Sequence, residues 1–125
     1  MFKIAKMRPL AERPMEYYEV TDAEEIALGE AVVLANGKLT KCAATTTPEF
    51  IAMGTGVKIP VVRVMETDEY AAPLEAESTS LKVGEKVTIS TDGLKVTNTT
   101  SGGVFEITQI NGTNAGDTVL GMFRR

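Results

Sequence analysis

The 125-residue chain contains no histidine and a single cysteine, Cys42. Without histidine, the commonest general base and the Ser–His and Cys–His nucleophile pairs are ruled out. Zinc sites in proteins are built mainly from Cys and His, so a structural zinc site is not expected either. What chemistry remains lies with carboxylates and hydroxyls. Glu66, Asp68, Glu69, Glu75 and Glu77 crowd one stretch. They would offer hard oxygen ligands to Ca²⁺, but the Asp-x-Asp-x-Asp-Gly spacing of a dedicated loop is missing. The run reads as a solvated acidic face. Glu30 and Glu85 would form a glycosidase pair only if held about 5–9 Å apart. Each follows a glycine where a β run begins, and a solvated carboxylate is the ordinary occupant there. Gly102-Gly103 resembles a phosphate loop only in its glycines, since the Lys-Ser/Thr and following helix are lacking. Cys42 has no basic neighbour to favour its thiolate and reads as a small buried hydrophobe. No catalytic, cofactor-binding or metal-binding residue is nominated, and the expectation is a protein that is not an enzyme.

Composition narrows the partners. The formal charge is −4, from 13 basic and 17 acidic residues. Nucleic acid calls for a basic face that neutralises phosphates. Here the basic residues are scattered, so no nucleic-acid partner is expected. No stretch approaches the roughly 20 apolar residues of a membrane helix, and no membrane partner is expected. Residues 1–10 alternate apolar and basic types, unlike a signal peptide, so a reducing aqueous compartment is expected. At 43% hydrophobic the chain is ordinary for one globular domain, its core resting on aliphatic residues because Trp is absent.

The elements that must carry any function are β-strands. Leu28-Gly29-Glu30-Ala31-Val32-Val33-Leu34 runs into Asn36-Gly37 and a second alternating run ending at Cys42, which predicts a hairpin. Phe50-Ile51-Ala52-Met53-Gly54 predicts a short strand. Residues 57–64 are strongly β-branched, with Pro60 demoting their first part to an edge or bulge. Val83-Gly84-Glu85-Lys86-Val87-Thr88-Ile89 repeats the first run. Gly29/Gly84, Glu30/Glu85, Val32/Val87, Leu34/Ile89 and Phe50/Phe105 all lie 55 positions apart. Residues 118–123 predict the last strand. Thr21-Asp22-Ala23-Glu24 could cap one helical turn at most.

The expected fold is therefore all-β, a small β-barrel or sandwich of two similar hairpin-containing halves. The halves cover about 23–65 and 78–125, joined by an acidic surface linker over 66–77. Residues 1–22 form an extended N-terminal arm, since Pro9 and Pro14 disfavour a helix. Its apolar side chains should lie either along its own domain or against a neighbouring subunit.

Four features together resemble the small head-decoration (capsid cement) proteins of tailed bacteriophages. They are the extended arm, the Leu-Gly-Glu-Ala-Val-Val-Leu stretch leading through Asn36-Gly37-Lys38-Leu39-Thr40-Lys41-Cys42, and Thr47-Pro48-Glu49-Phe50-Ile51-Ala52-Met53-Gly54 running into Ile59-Pro60-Val61-Val62-Arg63-Val64. The fourth is the second Gly-Glu-x-Val half. This is a likeness of spacing and turn chemistry over most of the chain, without a diagnostic motif. It implies a β-barrel-like domain, often trimeric, bound to the major capsid protein lattice on the outside of the virion, with no cofactor. Phe2, Ile4, Met7, Pro9, Pro14, Tyr17 and Tyr18 are then the expected contacts with the shell or a sister subunit. The alternative is a β-barrel module for a host-surface glycan or small ligand. Lipoyl- and biotinyl-carrier domains also use Gly-Glu-x-Val hairpins. The hairpin tips here, Asn36-Gly37-Lys38 and Asp92-Gly93-Leu94-Lys95, lack their Asp-Lys-Ala or Met-Lys-Met setting.

Overall fold

The computed structural model describes residues 1–7 and 14–124. Its ten strands are β1 (Lys3–Lys6), β2 (Glu16–Glu19), β3 (Ala31–Ala35), β4 (Lys38–Lys41), β5 (Phe50–Ala52), β6 (Lys58–Arg63), β7 (Glu69–Pro73), β8 (Lys86–Val87), β9 (Phe105–Ile110) and β10 (Thr118–Phe123). Among the described residues there is no helix. The strands form two antiparallel sheets of five, ordered β2-β6-β5-β3-β4 and β1-β7-β10-β9-β8. The fold is an all-β sandwich-like arrangement and not a closed barrel. Residues 16–63 supply the whole first sheet; residues 69–123 supply the second except for β1.

Turn chemistry explains the hairpins. Asn36 and Gly37 both have positive φ (54° and 78°), the pairing a two-residue β3–β4 hairpin needs. The Gly-Glu pairs build a second device, made twice. Glu30 N–H donates to Ala27 O (3.1 Å) and Glu85 N–H to Lys82 O (3.2 Å), with Gly29 and Gly84 at positive φ. The Glu30 carboxylate then accepts from Ala27 N–H (3.0 Å), and that of Glu85 from Lys82 N–H (2.7 Å). Each turn docks alike on the next strand. Gly29 N–H donates to Ala52 O and Gly84 N–H to Ile107 O, while Ala52 and Ile107 donate back to Glu30 O and Glu85 O. Val32 faces Phe50 in one sheet and Val87 faces Phe105 in the other.

Strand alternation sends side chains to two hydrophobic clusters. Val32, Phe50, Ala52, Ile59 and Val61 turn inward to a cluster closed by Val20, Ile26 and Leu39. Ala31 and Ile51, their neighbours in sequence, point the other way into a larger cluster built on the second sheet. The first sheet is thus buried on both faces over β3 and β5, which accounts for its unbroken apolar runs. At the centre of the larger cluster, the Phe123 ring lies 5.1 Å from Phe105, 5.3 Å from Tyr70 and 5.2 Å from Phe2. Such tilted and edge-on pairs suit the ring quadrupoles.

Three local expectations are corrected. The acidic stretch 66–77 is not a surface excursion, because it contains β7, which sits between β1 and β10. Its acidity concealed the strand. Asp68 and Glu69 are themselves buried, and Glu69 Oε2 accepts a 2.7 Å hydrogen bond from Thr108 Oγ1. Pro60 does not mark an edge, since β6 has β2 on one side and β5 on the other. Val64 N–H donates to Glu49 O, on the chain leading into β5. The two-residue alternation therefore aims the Pro60 nitrogen at Met53, just past the end of β5. Met53 N–H still donates to Pro60 O (2.9 Å), so the proline costs the ladder only the return bond at its last pair. The second hairpin is also shorter than its sequence suggests: β8 has two residues, and a single Ile89–Val96 bridge stands in for the rest.

Candidate functional site

The residues expected to form a contact arm are divided among different surroundings. Phe2 is 2% exposed and belongs to the larger core. Ile4 packs half-buried against the same core, and β1 pairs with β7, placing Ile4 opposite Tyr70. Met7 is half-buried, Pro14 is exposed, and Pro9 lies outside the described residues. Tyr17 and Tyr18 are neighbours on β2 and so face opposite ways. Tyr17 is 59% exposed. Tyr18 turns in, its ring 5.3 Å from Phe50.

Tyr18 also belongs to a polar clamp that fastens β2 to β6. Arg63 Nε and Nη2 donate to the two oxygens of Glu16 (3.1 and 2.9 Å), Tyr18 Oη–H donates to Glu16 Oε1 (2.8 Å), and the guanidinium lies 4.8 Å over the Phe50 ring. Hydrogen bonds from Arg63 first, and from Tyr18 second, hold the Glu16 carboxyl below its ordinary range. A depressed carboxyl contributes stability that is present above its unfolded value near 4.5 and lost as pH falls through the folded value. Glu16→Gln is therefore expected to cost about 0.2–1 kcal/mol at pH 7, the range for a largely solvated pair. Thermal melts at pH 7 and pH 3 check this: the gap between wild type and variant should close at the lower pH.

Two of the concavities on the described surface bear on function. The larger is an open cleft of about 690 Å³ lined by Glu24, Glu25, Glu30, Lys41, Asp92 and Leu94, among others. Its carboxylates are largely engaged. Glu24 accepts from Thr40 Oγ1 and Lys41 N–H, Glu30 is held by Ala27 N–H and by Lys41 Nζ at 3.2 Å, and Asp92 accepts from Leu94 N–H. No aromatic ring among the described residues lines the cleft. Among the described residues, no three His, Cys, Asp or Glu side chains gather to hold a metal ion. The smaller concavity is an apolar groove of about 170 Å³ between β1 and the β5–β6 pair, with Ile51, Val62 and Tyr70 among its lining residues. Met1, Leu28 and Met53 also line it and remain well exposed, Leu28 at 47% and Met53 at 41%. Leu28 occupies the second position of the Gly29-Glu30 turn, where its side chain is driven outward; Val83 does the same in the second turn. Sequence reading missed the groove because its walls meet only through the β1–β7 pairing. The exposed turn position of Leu28 was the one available signal.

The remaining candidates are structural. The carboxylates of Glu30 and Glu85 each close their own turn. Cys42 is buried, its Sγ 3.0 Å from Thr46 O, and burial, with Glu49 adding to it, pushes the thiol up to about 12. Gly103 packs against the backbone of β8.

No family model matches the chain, and no curated protein matches it.

Proposed function

We propose that the chain is a structural protein that binds the outer surface of a bacteriophage capsid lattice as a homotrimer and stabilises the shell, without catalysis. The observation that supports this best is the apolar groove with its exposed rim of Met1, Leu28 and Met53. Exposed apolar side chains around a shallow apolar floor suit a protein partner, and they offer no convergent polar groups for turning over a substrate. A cement protein gains its effect by burying such surface only on the assembled shell, which it then stabilises by mass action. The fold adds a suitable carrier, since two sheets packed on a shared core, each braced by its own Gly-Glu turn, form a firm platform that loses little entropy on docking.

The test is co-sedimentation of the purified protein with empty expanded heads of the parent phage, beside Leu28→Glu and Met53→Glu. Saturable binding by the wild type, reduced at least tenfold in the variants, supports the reading. Wild-type protein left wholly in the supernatant refutes it. The larger cleft favours a second reading, a module for a small polar ligand, which titration with a panel of saccharides would detect. Its engaged carboxylates and lack of a stacking ring make it the weaker one.

A further inference from the structure

We infer that the outer edge of β2, along residues 15–17, accepts an added β-strand from an extended partner segment in which basic and apolar residues alternate. This holds whether or not the partner is a capsid, because it rests on the likeness between the two sheets.

β2 and β7 occupy equivalent places. Val20 N–H donates to Val57 O (2.8 Å) as Leu74 N–H does to Asp117 O (2.9 Å), tying each strand to its inner neighbour. On the opposite side, Thr21 N–H donates to Leu39 O and Glu75 N–H to Val96 O, both at 2.8 Å. Val20–Leu39 and Leu74–Val96 are both parallel bridges. By this correspondence Tyr17 is the counterpart of Ala71. Ala71 faces Lys3 of β1, which fills the edge of β7. Among the described residues, no strand fills the same position beside β2.

The vacant edge is fit to pair. Since Val20 N–H points to β6, alternation aims the N–H groups of Met15, Tyr17 and Glu19 outward. Tyr17 and Met15 are 59% and 49% exposed, and among the described residues no strand pairs with their outward N–H groups. Natural edges are usually blunted by inward charges, lysines or bulges, and this one instead displays two large apolar side chains. Its charge selects the partner. Glu19, exposed on β2 beside Tyr17, is the carboxylate that faces a newcomer, since Glu16 is held by Arg63, Asp22 by Lys38 and Glu24 by Thr40. A cation opposite Tyr17 would lie diagonal to Glu19 on the same face. A second β2 would instead bring like charges together, so self-pairing is disfavoured. The segment already on β7, Phe2-Lys3-Ile4-Ala5-Lys6, has the chemistry the vacant edge calls for. Strand addition of this kind draws affinity from main-chain hydrogen bonds and specificity from alternate side chains.

The test adds a synthetic peptide of residues 1–7 to the full chain and follows amide hydrogen exchange and binding. Saturable binding is expected, with Met15 and Tyr17 amides slowed at least tenfold and the β7 amides unchanged. A peptide with both lysines replaced by glutamate should bind at least tenfold more weakly. Tyr17→Pro removes one outward N–H and should abolish binding. If that change disturbs β2, Glu19→Lys serves instead, and it should weaken the basic peptide and favour the acidic one. Three results would each overturn the inference: no saturable binding at millimolar peptide, protection confined to Glu69 and Ala71 (the peptide then merely displaces β1), or equal binding of both peptides. Loss of head binding in the co-sedimentation experiment would leave it standing.

Discussion

Phe2→Ala is expected to destabilise the protein by about 3–5 kcal/mol, the range for removing a fully buried aromatic ring. The Phe2 ring lies 5.8 Å from that of Phe105 and 5.2 Å from that of Phe123, and only 2% of the residue is exposed. Its amide donates to Gly29 O (3.0 Å), so the same residue ties β1 of the second sheet to the turn that opens the first. Domains of this size have only about 5–15 kcal/mol in total, so one ring accounts for a large share. Removing residues 1–14 would go further, stripping β7 of its neighbour, and should not leave a folded domain as a detachable arm would. Urea unfolding of Phe2→Ala beside Tyr17→Ala makes the measurement. Tyr17 is exposed, and its loss should fall within about 0.5 kcal/mol of zero. A Phe2→Ala midpoint shift as small as that of Tyr17→Ala would show that the ring is not a core residue.

The same residues show how far the sequence could be read. Local signals carried well: Asn36-Gly37 does make the tight hairpin, residues 118–123 are the last strand, and the Gly-Glu pairs 55 positions apart make the same turn with the same hydrogen bonds. These depend on backbone dihedrals and alternation, which neighbouring residues dictate. Non-local pairing left no such trace. That β1 joins β7, opposite residues 69–71, follows from nothing near either strand. β7 was hidden for a different reason. Flanking carboxylates usually mean solvent, yet Glu69 is buried with a Thr108 hydroxyl for its partner and Tyr70 beside it is fully buried. For the candidate site, Phe2 and Tyr17 have the same role expected from sequence, as contact residues of an arm; Tyr17 is exposed on β2, whereas Phe2 lies in the core and is not available to a partner. An apolar side chain on an alternating strand can face either way, and only the pairing decides which.

The two sheets are alike in construction but not in their defences. The first is held at β2 by the Glu16–Arg63–Tyr18 clamp, which has ionic character and weakens in acid. The second is held at the equivalent strand by β1 and the uncharged aromatic cluster, with the buried Glu69 carboxyl hydrogen-bonded by Thr108. Acid should therefore weaken the β2 clamp, in the same part of the molecule that is open to a partner strand.

Gly103→Ala is the other substitution expected to act strongly, and its effect should enter through the backbone. Gly103 closes a turn by donating to Thr100 O (3.2 Å) just before β9. A methyl group there would overlap the Lys86 carbonyl and lie 2.7 Å from the Val87 nitrogen. A crowded side chain can rotate away, but these are main-chain atoms of β8, a strand of two residues. Relief requires β8 to move off β9, stretching the Val104 N–H bond to Val87 O (3.0 Å) and parting Val87 from Phe105 beside the aromatic cluster. Overpacking commonly costs about 1–3 kcal/mol and more where backbone must shift, so a loss of about 3 kcal/mol or greater is expected. Gly37→Ala supplies the contrast. Nothing lies within 4 Å of a methyl group at Gly37, and the cost is only that of holding alanine at a φ of +78°, about 1–2 kcal/mol. Urea midpoints should rank Gly103→Ala well below Gly37→Ala, and hydrogen exchange should show the Val104 amide opening in the first variant alone. The reverse ranking would mean that β8 yields freely, and that the second sheet depends on β7, β10 and β9 without it.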